Sequence, residues 1–113
     1  MGDTSNLTGK DFEFLITHPD DFEISSDLFD KLMTPDTIEW TKVIKNNWTY
    51  YKVGQDEFSY SWEPPGIQMT FNEEIEYDKA KKIADQVVTK LKKQSGLNIG
   101  LEFIGYDNII KFD

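Results

Sequence analysis

Cysteine and arginine are both absent, and histidine occurs once, at position 18. Without thiols the chain can build neither a disulfide-stapled miniprotein nor a Cys-ligated zinc module. Without arginine, bidentate guanidinium recognition of phosphates is ruled out. All 12 positive charges are lysines, set against 21 carboxylates, so the net charge is −9 and the sequence pI about 4.5. Nucleic-acid binding needs clustered cations, and this balance argues against it. Long apolar runs are missing too: nothing approaches the ~18 consecutive apolar residues of a membrane helix, so no membrane association is expected. The first residues, MGDTSNLTGKDF, lack the basic start and apolar core of a secretory signal, which sets the expectation of a cytoplasmic protein. Asn6 stands where myristoylation after Gly2 wants Ser or Thr.

At 113 residues the chain is long enough for one domain with a hydrophobic core that needs no metal or staple. Residues 1–9 are polar and contain two glycines, and read as a flexible tail before a single α+β domain over 10–113. Phe12, Phe14 and Ile16 suit a short strand, whereas Phe12, Leu15 and Ile16 suit a helix, so this segment is ambiguous. Ser26 and Asp27 favour a short helix in which Leu28, Phe29, Leu32 and Met33 make one stripe, stopped by Thr34-Pro35. From Thr37 the period changes to two, giving candidate strands at 38–44, 48–53, 58–62 and 67–72 in an antiparallel meander. Phe58, Tyr60 and Trp62, like Ile67, Met69 and Phe71, alternate with polar residues, which predicts one buried and one polar face. Gly66 reads as the positive-φ residue of the turn at Pro64-Pro65.

The strongest helical signal follows. Tyr77, Ala80, Ile83, Ala84, Val87, Val88 and Leu91 recur at steps of three and four, and Gly96 reads as a left-handed cap. This long C-terminal helix should pack on the apolar face of a sheet of about four to six strands. A further strand is expected over 97–103 and a short one at 109–112, with their places in the sheet open.

Motifs that carry chemistry are scarce. There is no Gly-x-Ser-x-Gly elbow, no phosphate-cradling glycine loop and no EF-hand pattern, so no catalytic residue, cofactor or metal is assigned. His18, between Thr17 and Pro19, reads as a turn residue. Two features stand out instead. Residues 1–40 hold ten carboxylates against two lysines, while the remainder is nearly neutral. Seven aromatic residues crowd the 23 positions from Trp40 to Trp62. Adjacent Tyr50 and Tyr51 must point to opposite faces of a strand.

Carboxylates steer a basic partner, and Tyr or Trp anchors supply short-range energy. The expected function is therefore a non-enzymatic, acidic protein-binding module, a small intracellular inhibitor covering a basic protein. Asp20, Asp21, Glu23, Asp27 and Asp30 form its expected electrostatic surface, with Tyr50, Tyr51 or Trp62 as anchors. In size, acidity and lack of cysteine the chain resembles the bacterial immunity proteins that neutralise nuclease toxins, a likeness of composition carried by no motif. Two other readings stand beside it: a structural interaction domain of a homo- or hetero-oligomeric assembly, such as a homodimer joined through a sheet edge, and a small-ligand domain or enzyme with a pocket between sheet and helix; the chain itself is expected to be a monomer or homodimer.

Overall fold

The computed structural model describes residues 7–63 and 66–105. Its elements are β1 (Phe12–Thr17), α1 (Ser26–Leu32), β2 (Thr41–Lys45), β3 (Trp48–Val53), β4 (Asp56–Glu63), β5 (Gly66–Phe71), α2 (Tyr77–Ser95) and β6 (Gly100–Gly105). The strands form one antiparallel sheet in the order β2-β3-β4-β5-β1-β6, and with two helices, the longer C-terminal, this is an α+β fold. The meander of β2 to β5 matches the period-two reading. Asn46 and Asn47 turn β2 into β3 with φ of 52° and 64°, the positive pair that a tight hairpin of the right twist requires. The expected strand at 109–112 lies outside the described residues.

The ambiguous segment at 12–16 is a strand and lies inside the sheet. Phe14 pairs with Met69 of β5 on one side and Phe103 of β6 on the other. Phe12, Phe14 and Ile16 face the helices, yet Glu13 and Leu15 on the opposite face are buried as well. Burial on both faces abolishes the polar alternation by which a strand is recognised.

Gly66 does not have positive φ. Its requirement is space: a Cβ there would stand 2.1 Å from the Ile16 carbonyl oxygen, so the glycine lets β5 approach β1. The strand read over 38–44 begins only at Thr41, while Ile38 and Trp40 pack on the core from the preceding loop. The strand read over 97–103 begins at Gly100, with Ile99 buried in the core before it.

α2 buries Ala80, Ile83, Ala84, Val87, Val88 and Leu91, the stripe expected from spacing. Its first half packs with Phe12, Phe14, Tyr51, Phe58 and Phe71, and its second with Ile16, Ile67, Leu32 and Met33. Asp78 in the first turn and Lys92 and Lys93 in the last complement the dipole, and Gly96, at φ 68°, donates its N–H to Lys92 to close the helix. α1 is short, and Ser25 rather than Ser26 precedes it as cap, without a side-chain hydrogen bond.

Of the segment read as a flexible tail, residues 7–9 contact the start of α2, and residues 1–6 lie outside the described set. Thr8 bridges to Glu76, Gly9 donates its N–H to the Ile75 carbonyl at 2.9 Å, and the Tyr77 N–H reaches Leu7 at 3.1 Å. A Cβ on Gly9 would meet the Asn72 carbonyl oxygen at 1.7 Å. Gly9→Ala should accordingly destabilise the fold by ~1–3 kcal/mol in urea unfolding, the usual scale of overpacking. An unchanged midpoint and slope would mean that this segment does not hold α2.

Candidate functional site

The loop from His18 to Ser25 leads from β1 into α1 and alternates acidic with apolar residues. Phe22 turns inward and is buried, whereas Asp20, Asp21 and Glu23 are exposed. His18 closes the loop on itself: its Nδ1 donates to the Pro19 carbonyl at 2.8 Å, and its ring lies 4.9 Å from Phe22 and 6.0 Å from Trp62. The only histidine is thus a half-buried wedge that holds Trp62 of β4 against the loop.

Phe58, Tyr60 and Trp62 share the helix-side face of β4, but their cover diminishes along the strand. Phe58 is buried, Tyr60 is half-buried, and Trp62 is 53% exposed. Beside Trp62 lies a groove of about 630 Å³, walled by Phe22 to Ser25 of the loop, Leu28 and Leu32 of α1, and Leu91, Gln94 and Ser95 of α2. The structure therefore brings Trp62 and Glu23 to one site, flanked by Asp20 and Asp21 in the chain. Leu28, read from spacing as core, is 37% exposed at its edge. Phe22, Ile24, Leu91 and Gln94 were missed as site residues. The alternation Asp21-Phe22-Glu23-Ile24-Ser25 was the available signal for the first two.

Asp30 and Tyr51 form a second constellation. Tyr51 is a core residue, 1% exposed. Its hydroxyl donates to Asp30 Oδ1 at 2.6 Å, and Lys42 Nζ binds Asp30 Oδ2 at 2.9 Å. Asp30 thus ties α1 to β3 and β2. Asp27 is exposed in the first turn of α1. Tyr50 faces the other side of the sheet, with Lys45 Nζ 4.4 Å above its ring and Lys45 bound to Glu57 at 2.9 Å. The strand pleat separates Tyr50 from the loop and Trp62, so it cannot join them in one contact surface.

Another groove runs along the outer side of α2, lined by Lys81, Lys82, Lys90 and Lys93 with Asp36, Asp78 and Asp85. Charges of both signs alternate there, which gives no ligand of one sign an advantage. Among the described residues no group of His, Cys, Asp or Glu is placed to hold a metal ion, and no helix is long and apolar enough to cross a membrane. No family model, curated protein or solved structure matches the chain.

The Lys42 ammonium, with the Tyr51 hydroxyl, holds the Asp30 carboxyl below its ordinary value against the smaller opposing effect of burial. A folded-state value below the unfolded one stabilises the protein above about pH 4, and this contribution is lost as pH falls through the folded value. Asp30→Asn should flatten the acid limb of a melting-temperature profile below about pH 4 and lower stability at neutral pH. Identical acid limbs in the two proteins would remove Asp30 from the pH response.

Proposed function

We propose that the protein is a non-enzymatic, acidic protein-binding module, a small cytoplasmic inhibitor of the immunity type that covers a basic partner such as a nuclease toxin. The observation that carries this reading is the meeting of an exposed Trp62 with the carboxylate-bearing loop at one groove. Trp is the residue type most often found as a binding anchor. Covering the exposed half of its ~250 Å² surface is worth roughly 3 kcal/mol at ~25 cal/mol per Å². Glu23 lines the groove of that anchor and exposed Asp20 and Asp21 precede it in the same loop, charge of one sign that raises the rate at which a basic surface arrives.

The two sets of residues have separable kinetic effects. Once a basic protein is recovered at low salt and identified, Asp20→Asn/Asp21→Asn/Glu23→Gln should slow association and weaken its dependence on salt, with little change in dissociation. Trp62→Ala should speed dissociation by about 30-fold, the scale of a hot-spot side chain, with association nearly unchanged. If the partner is an enzyme, the wild-type chain should inhibit it in proportion to occupancy. An association rate indifferent to the three carboxylates overturns the reading. A concentration-dependent mass in the absence of any partner would instead favour an assembly domain.

A further inference from the structure

Trp62 is also a wall of a second, smaller hollow of about 180 Å³, together with Phe29 of α1, Asn47, Trp48 and Thr49 where β3 begins, Tyr51 of β3 and Tyr60 of β4. Four aromatic residues of the helix-side face, Phe29, Tyr51, Tyr60 and Trp62, meet at this space, and Trp62 is 53% exposed. The tyrosine hydroxyls are committed elsewhere: Tyr51 donates to Asp30 and Tyr60 donates to the Met33 carbonyl at 2.8 Å. What the two tyrosines bring to the hollow is therefore ring carbon, while Asn47 and Thr49 add polar groups to its lining. Phe29 stands at 88° to Tyr60 with centroids 5.9 Å apart, and Tyr51 at 59° to Tyr60 with centroids 6.2 Å apart. Rings so inclined wall a space from several directions.

The electrostatic potential of an aromatic ring is negative over its face, which attracts a cation without offering it a formal charge. Asp30 adds a carboxylate at the Tyr51 hydroxyl, and the chain as a whole carries −9. An anion is repelled by both. A neutral group gains only burial, whereas an ammonium or guanidinium on an alkyl stem gains burial of the stem and attraction of the head.

We propose that this hollow binds the cationic head of a lysine or arginine side chain. The donor of that side chain is the basic partner inferred above, so the source of the cation rests on that reading. The preference of the hollow does not, because it is measurable with small molecules. Lys42 is the internal competitor: its ammonium neutralises Asp30 and opposes an incoming cation.

The test uses the whole chain, labelled with ¹⁵N, titrated with three probes: Nα-acetyl-lysine amide, Nα-acetyl-arginine amide and the uncharged Nα-acetyl-norleucine amide. The two cationic probes should shift the indole N–H signal of Trp62 saturably, about fivefold more tightly than norleucine. Phe29→Leu, which retains apolar bulk and removes one ring, should erase that difference while leaving norleucine binding alike. Lys42→Gln should tighten the cationic probes by about twofold or more and leave norleucine unmoved, a gain that misfolding cannot produce.

Equal binding of norleucine overturns the proposal, as does the absence of a saturable indole shift with either cation or a Lys42→Gln chain indifferent to charge. A free small cation, as opposed to a partner's side chain, is indicated if tetramethylammonium binds more tightly than both amino-acid probes and no basic protein competes with it. Failure of the probes alongside a basic partner still sensitive to Trp62→Ala would discard the hollow and leave the binding module standing. Success of the probes with no partner at all would do the reverse.

Discussion

Burial of β1 on both faces, between β5 and β6, is the constraint from which the rest of the molecule follows. Inserting an antiparallel strand there makes β5 and β6 parallel to each other and separates them by its width. Their connection must then cross over β1, and parallel strands are joined in this way by a helix of a dozen residues or more. α2 supplies that crossing with 19 residues. Its apolar stripe is held over Phe12, Phe14 and Ile16 because those are the residues it must pass. The start of the helix is fixed in turn by the backbone of residues 7–9, so the N-terminal segment and the longest helix stabilise each other.

A helix centred on β1 cannot also cover the far end of the sheet. The helix-side face of β2, β3 and β4 is left to α1, seven residues long, and to the loop that follows it. Two phenolic hydrogen bonds secure this smaller cover, Tyr51 to Asp30 and Tyr60 to the Met33 carbonyl. Burial raises the proton affinity of both phenols well above the ordinary value, so neither ionises at physiological pH. Beyond the reach of α1 the apolar alternation of the strands simply continues into solvent. Trp62, and Ile44 at 65% exposure, are the residues left there. The groove and the aromatic hollow on either side of Trp62 are therefore consequences of a short helix over a wide sheet.

This explains which parts were legible in the sequence. α2 was readable because its spacing, end charges and Gly96 cap are local signals that agree. The β2–β3 hairpin was readable for the same reason through Asn46-Asn47. β1 was not, since its twofold burial depends on strands about fifty and ninety residues away. Periodicity also labels Phe58, Tyr60 and Trp62 alike, because it reports the face of a strand and not the extent of its cover. The adjacency of Tyr50 and Tyr51 did reveal that one must leave the core side, but not which. That choice follows from pairing Tyr51 with Phe58, a register the local sequence does not specify. Trp62 and Glu23 were separately visible as candidates, whereas their meeting required the tertiary fold.

An exposed apolar surface of this kind invites self-association, and the charges around it bear on that risk. A twofold contact through the groove sets Asp20, Asp21 and Glu23 of one copy against the same residues of the next, with no arginine or histidine on that loop except His18, which is turned onto Phe22 and Trp62. A head-to-tail contact meets the densest lysines along α2, where Asp36, Asp78 and Asp85 are interleaved with them, while Lys42 and Lys45 of β2 are paired with Asp30 and Glu57. Like charges oppose the first arrangement, and mixed charges give the second little to gain. A surface dense in cations and free of carboxylates meets neither obstacle. Carboxylates on this loop therefore oppose a second copy of the chain and would favour a surface of the opposite sign.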